Sequence, residues 1–184
     1  MNMLASRGQL RASFIRWALF TVPLIVLLGF LAGMVGSPAS EWFQSLVKPD
    51  IFPEPKWFGI VWTVLYIMIG LAVAFIASAW GARGRTAALV AFAVHFLLNL
   101  AWSPTFFGAH QITLALGLLV AIVVTLLVVM ALFWKVRRVA ALLLVPYLAW
   151  VCFATVLNYE FLKLNPDADG ASGESQIERV RIGN

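Results

Sequence analysis

Five runs of this chain are long and apolar enough to cross a bilayer, and nothing else in it constrains the fold so strongly. They cover about residues 17–35, 57–80, 86–103, 112–134 and 139–162, and apart from Glu160 at the end of the fifth they hold no Asp, Glu, Lys or Arg. A hydrocarbon core of about 30 Å takes roughly 20 residues of helix. Inside that core no water satisfies backbone N–H and C=O groups, so each run must bond internally as a helix. The expected fold is therefore an all-α integral membrane protein. It is a five-transmembrane-helix bundle within residues 1–165, with residues 166–184 expected to form a disordered polar tail. Composition agrees, because only 11% of residues are charged against about 25% in soluble proteins.

An odd number of spans places the termini on opposite sides, and the charges then separate. The N-terminal side carries Arg7, Arg11, Arg16, Arg83, Arg85, Lys135, Arg137 and Arg138, with no acid. The other side carries five cations and all eight acids. The positive-inside rule then predicts a cytoplasmic N-terminus, with loop 36–56 and the C-terminus opposite. Basic clusters confined to inter-helix turns point to topology and a lipid bilayer partner, not to nucleic acid. The lone Cys152 excludes an internal disulfide and a cysteine metal cluster, and no metal site is expected.

Polar and aromatic residues inside the spans fall on helical faces. Tyr147, Trp150, Ala154, Leu157 and Asn158 lie at i, i+3, i+7, i+10 and i+11 of the fifth run, an arrangement suited to a pocket wall or a helix seam. Trp62, Tyr66 and Gly70 share a face of the second run, and His95, Asn99 and Trp102 share a face of the third. Ser103-Pro104 is expected to break the third helix. The fourth run has almost no polar handle and reads as mainly lipid-facing or packing, with Leu126 as a lipid-facing position. His95 is expected to bond a neighbouring helix rather than haem iron. His110, beside Gln111, is expected to be solvated. Gly29 and Gly33 form a GxxxG pair which, with Ala87, Ala88 and Ala91, makes a homodimer plausible. The loop 36–56 is rich in proline, with Pro49 and Pro53 beside Trp42 and Phe43, and could cap a hydrophobic opening.

The motifs in order are Trp42-Phe43-x-x-Leu46-x-Lys48-Pro49, then Val61-Trp62-Thr63-Val64-Leu65-Tyr66, then Asn99-Leu100-Ala101-Trp102-Ser103-Pro104. Phe106-Phe107-Gly108-Ala109, Pro146-Tyr147-Leu148-Ala149-Trp150 and Leu157-Asn158-Tyr159 follow. In order and spacing, across about residues 15–165, the chain resembles the translocator protein / tryptophan-rich sensory protein (TspO/MBR) family, also called the peripheral benzodiazepine receptor family. The resemblance implies a five-helix bundle, often a homodimer, with a pocket beneath the first loop for tetrapyrroles such as protoporphyrin IX or haem, and for sterols. No cofactor is required; the tetrapyrrole is a ligand. By motif the family's pocket positions carry over to Trp62, Asn99, Trp102, Trp150, Ala154 and Leu157. Tyr66 and Tyr147 join them from the face pattern, and Trp42, Phe43, Pro49 and Pro53 would form the loop cap. A sterol-recognition pattern maps onto Leu157, Tyr159 and Lys163. The bias of charges in a short chain suits a bacterial cell envelope.

The chain departs from the family pattern at Thr113–Leu118, where a tryptophan and an acid are frequent, at Phe43, and in the Pro53-Glu54-Pro55 spacing. Nothing in it reads as an enzyme's acid–base pair, nucleophile triad or phosphate loop. The function expected is receptor-like binding of a hydrophobic planar ligand, for sensing or transport. The alternatives are light- or oxygen-dependent porphyrin breakdown using Trp62 and Trp150 as redox-active indoles, and passive transport of small hydrophobic metabolites. Ion coupling is disfavoured, because the span interiors lack charge.

Overall fold

The computed structural model describes residues 7–35 and 38–170. Among these the regular structure is entirely helical. The elements are α1 (Arg7–Met34), α2 (Glu41–Ser45), α3 (Pro55–Ala77), α4 (Arg85–Ser103), α5 (Ile112–Val136), α6 (Arg138–Leu143) and α7 (Val145–Leu164). Five segments are long and apolar enough to span a membrane, with α6 and α7 together forming the fifth.

Several boundaries differ from those expected, each for a local reason. Helix α1 begins ten residues before the apolar run and extends beyond a hydrocarbon core, because residues 7–16 carry on the helix and Phe14 stacks on Phe75 at 4.3 Å. The third α-helix ends at Ser103, where Ser103-Pro104 is expected to break it, but the helical path continues past that point. Pro104 lacks an N–H, and the chain widens into a π-turn over Pro104–Gly108. There the Ala109 N–H reaches the Pro104 carbonyl at 2.8 Å, and the Thr105 hydroxyl takes the Ala101 carbonyl at 2.8 Å. The fifth span is interrupted at Leu144, two residues before Pro146. The connection after α1 contains α2, whose N-terminus is capped by the Ser40 hydroxyl accepting from the Phe43 N–H.

Of the two roles expected for the fourth span, lipid-facing or packing, the structure gives it packing along one face. Ile112, Ala115, Leu119, Ile122, Leu126, Val129 and Phe133 recur at three- and four-residue steps on α5, and all are buried. This stripe packs against α4, α6 and α7, so Leu126 is 0% exposed and sits in the core. The face with Leu127 and Val128 is the one left to lipid. Periodicity alone cannot rank the faces of a helix that is apolar all round.

Helix α1 packs mainly on α3 and is the least buried span. At the seam the Thr21 hydroxyl donates to the Gly70 carbonyl at 2.8 Å. A Cβ on Gly70 would lie 2.6 Å from the Val22 Cα. Gly29 is covered by Tyr66 of the same chain, whose ring a Cβ there would meet at 2.3 Å, whereas Gly33 has nothing within 4 Å. The two glycines of the GxxxG pair thus have different surroundings, and the first is used inside one chain.

Candidate functional site

Two aromatic groups, one above the other, fill the end of the bundle towards the α1–α3 connection. The deeper group is tied by a buried hydrogen-bond chain through four helices. His95 Nδ1 lies 2.9 Å from the Thr125 hydroxyl of α5, and Nε2 lies 3.1 Å from the Tyr147 hydroxyl of α7. Asn99 Nδ2 donates to the same Tyr147 oxygen at 2.9 Å, and the Tyr66 hydroxyl of α3 donates to Asn99 Oδ1 at a longer 3.4 Å.

The donor inventory gives this chain a direction. Thr125 has one hydroxyl proton and donates it to the Ala121 carbonyl at 2.8 Å, so its oxygen accepts from His95 Nδ1–H. Nε2 is then the acceptor and Tyr147 donates to it. Tyr147 in turn accepts from Asn99, and Asn99 from Tyr66. Among the described residues no buried side-chain nitrogen or oxygen lacks a partner. His95 therefore has both ring nitrogens bonded within the protein. Trp62 stacks on Tyr66 with centroids 5.1 Å apart and meets the Tyr147 ring edge-on at 6.2 Å.

The second group, called the lid only for its place at the end of the bundle, is a packed hydrophobic cluster. Trp42, Phe43 and Leu46 of the first connection are buried with Phe106, Ile112, Leu157 and Phe161. Phe43 lies within 5.1–6.3 Å, ring to ring, of Phe52, Phe106, Phe107 and Phe161. Pro49 is buried and Pro53 half-buried at the rim. Lys48 folds back to donate to the carbonyls of Phe43 and Leu46 at the end of α2, and partial desolvation there lowers its pKa. Trp102 joins the groups: it stacks on Phe106 at 5.4 Å and donates to Asn158 Oδ1 at 3.4 Å, while Asn158 donates to the Ile112 carbonyl at 3.0 Å.

Of the residues singled out in the sequence, Trp62, Tyr66, Asn99 and Tyr147 meet directly. Trp102 and Leu157 belong to the join and the lid. Trp150, half-buried, lies 5.8 Å from Phe58 and 5.4 Å from Phe153, and Ala154 packs on the deeper core. The sterol pattern is divided, because Leu157 points into the lid core while Tyr159 is 51% exposed with Lys163 over its ring. His110 is not simply solvated: its ring stacks on Trp42 at 4.3 Å. Thr125 escaped notice in the sequence, although a hydroxyl midway along an apolar span was a signal available there.

The segment expected to open a disordered tail is instead docked at residues 166–170, while 171–184 lie outside the described residues. The Asn165 side chain pairs with both backbone groups of Val47, at 2.7 and 3.0 Å. Trp42 Nε1 donates to the Ala168 carbonyl, Asp169 accepts from the Thr113 N–H at the start of α5, and the Gly170 N–H donates to the His110 carbonyl. The Asn165 and Trp42 bonds hold the lid connection to the end of α7, and those of Asp169 and Gly170 tie the same segment to the start of α5. Each is worth about 0.5–1.5 kcal/mol, so Asn165→Ala is expected to speed exchange of the Val47 amide about tenfold or more. Unchanged protection in a hydrogen-exchange measurement would show that Asn165 does not hold the lid.

Comparison with known proteins shows the family. The TspO/MBR family profile matches residues 21–164. The chain is 39% identical over 154 residues to the tryptophan-rich protein TspO of Chlorobaculum tepidum, covering 80% of this chain and 98% of that one. It is 35% identical over 158 residues to the tryptophan-rich sensory protein of Cereibacter sphaeroides, covering 81% and 92%. To the translocator protein of Homo sapiens it is 36% identical over 122 residues, covering 65% and 72%. With five apolar helices, the packed aromatic groups and a profile match over most of its length, this chain belongs to the TspO/MBR family.

Proposed function

We propose that this membrane protein binds a hydrophobic, planar ligand of the tetrapyrrole class, with sterols as a second class, between α3, α4 and α7. The observation that carries this reading is the meeting of Trp62, Tyr66 and Tyr147 with Asn99, which sets flat apolar surfaces beside a buried amide. Indole and phenol rings supply large rigid stacking area, and their polar edges can hold a carboxylate or carbonyl. The names of the relatives, a sensory protein and a translocator, fit ligand capture that ends in sensing or transport. Entry would displace Trp150 and Phe58, which pair at the half-exposed edge.

The test is a tryptophan-fluorescence titration of the detergent-solubilised protein with protoporphyrin IX in the dark, followed by illumination and mass analysis of the pigment. Saturable quenching with an intact pigment supports binding for sensing or transport. A new pigment mass that depends on Trp62 or Trp150 would instead favour breakdown of the porphyrin. No saturable quenching removes tetrapyrroles from the ligand class.

In the same titration Ala154→Leu is expected to weaken binding about tenfold or more, because three added carbons occupy space against the core that the ligand would use. Trp150→Ala is expected to weaken it more than Leu127→Ala, a position on the lipid face. Leu126 cannot serve as that control, since it is fully buried. Equal effects at Trp150 and Leu127 would return Trp150 to a packing role.

A further inference from the structure

At the opposite end of the bundle from the lid, Ser13, Arg16, Trp17 and Phe20 stand at i, i+3, i+4 and i+7 on one face of α1. With Trp80, which follows the end of α3, they line an open cleft of about 340 Å³. The walls are set by contacts of their own. Trp17 and Trp80 touch at a tilt of 46° with ring centroids 6.2 Å apart, and the Arg85 guanidinium lies 4.2 Å over the Trp80 ring while donating twice to the Ala77 carbonyl. Phe20 and Trp80 are 59% and 67% exposed, large apolar surfaces that lipid would cover.

The charge of this end is one-sided. Among the described residues the acids are Glu41, Asp50, Glu54, Glu160, Asp167 and Asp169, all in the connection after α1 or at the end of α7. The ion pairs among the described residues, Lys56–Glu54 and Lys163–Glu160, lie there too. Among the described residues Arg16 is therefore an exposed cation with no carboxylate at its end of the molecule, beside an aromatic cleft at the edge of an apolar span. An unpaired guanidinium matches a phosphate with two parallel N–H···O bonds, and the Ser13 hydroxyl can add a third.

We propose that this cleft is a binding site for an anionic phospholipid. Its phosphate sits on Arg16, the headgroup lies against Trp17 and Trp80, and the acyl chain runs along Phe20 and the lipid face of α1. A basic pocket between helices at the headgroup level is suited to such lipids, each nearby cation adding to the attraction. A phospholipid fits better than a free phosphate, because the site opens onto apolar surface that only an acyl chain would cover. The site is independent of the ligand proposed for the aromatic groups.

The experiment is native mass spectrometry of the full chain in detergent, titrated in parallel with dioleoyl phosphatidylglycerol and dioleoyl phosphatidylcholine. The first phosphatidylglycerol is expected to bind more tightly than phosphatidylcholine, and Arg16→Gln to cut its affinity about fivefold, the worth of one interfacial cation. Arg137→Gln, at the same end but outside the cleft, is expected to leave it unchanged. Trp80→Ala, which keeps every charge and removes a wall, is expected to weaken it as well. Equal affinity for the two lipids overturns the proposal. So does an effect of Arg137→Gln equal to that of Arg16→Gln, which would assign the preference to diffuse charge. Displacement of the lipid by inorganic phosphate would make phosphate the ligand and overturn it too.

Discussion

Gly70→Val is expected to separate α1 from the rest of the bundle. The first carbon added at Gly70 lies 2.6 Å from the Val22 Cα and 3.1 Å from its nitrogen, so the obstacle is backbone and cannot rotate away. Helix α1 must move as a unit, and the Thr21 hydroxyl, placed 2.8 Å from the Gly70 carbonyl and 2.9 Å from the Trp17 carbonyl of its own helix, loses the interhelical partner. Overpacking of this kind costs about 1–3 kcal/mol and sometimes more, and the lost hydrogen bond adds about 1 kcal/mol. Because α1 is held mainly by α3, few other contacts can absorb the shift. The measurement is the temperature at which the detergent-solubilised protein loses its monodisperse elution peak. Gly33→Ala is the control. Its added carbon meets nothing within 4 Å, and helix propensity alone favours the change by up to about 1 kcal/mol. Equal midpoints for Gly70→Val and wild type would mean that α1 does not sit on α3 in this register.

The second large effect is expected at Tyr147. Its hydroxyl donates to His95 and accepts from Asn99, so Tyr147→Phe leaves a ring nitrogen and an amide hydrogen unpaired while the ring still fills its place. In water-soluble proteins an unsatisfied buried group costs about 1–3 kcal/mol. Interhelical hydrogen bonds within membranes average nearer 0.6 kcal/mol, so about 1–3 kcal/mol for the two together is the expected range. A double-mutant cycle with His95→Phe separates this from simple packing. Once His95 cannot accept, removing the Tyr147 hydroxyl should cost less, giving a coupling of about 0.5 kcal/mol or more. Strict additivity in thermal midpoints would mean that the two groups do not share a bond.

The two sites differ in how far the sequence alone could reveal them. The glycine at position 70 was visible on a face with Trp62 and Tyr66, but nothing local said that Val22 would be its neighbour. His95, Asn99 and Tyr147 each stood out as a polar group inside an apolar run. Each had to find a partner in the membrane, which made the existence of a network predictable. Its wiring was not, because Thr125 and Tyr66 enter from helices 30 and 33 residues away in sequence from His95 and Asn99 respectively. Leu126 is the clearest miss. On α5, Leu126 and Leu127 are neighbours of one residue type, yet one is 0% and the other 50% exposed.

What the sequence determined by itself was local: five helices, their order, and which side chains share a face. A bilayer leaves the backbone no partner but its own chain, and the 3.6-residue repeat then sets the faces without reference to any neighbour. What only the tertiary structure decided was which face meets which. That choice turned α5 inward along Leu126, used Gly29 inside the chain, and stacked His110 on Trp42. It also brought Asn165 to Val47, 118 residues away. Between apolar helices in lipid the hydrophobic effect does not distinguish one face from another. Close packing and a few buried hydrogen bonds make the distinction, and both depend on residues far apart in the chain.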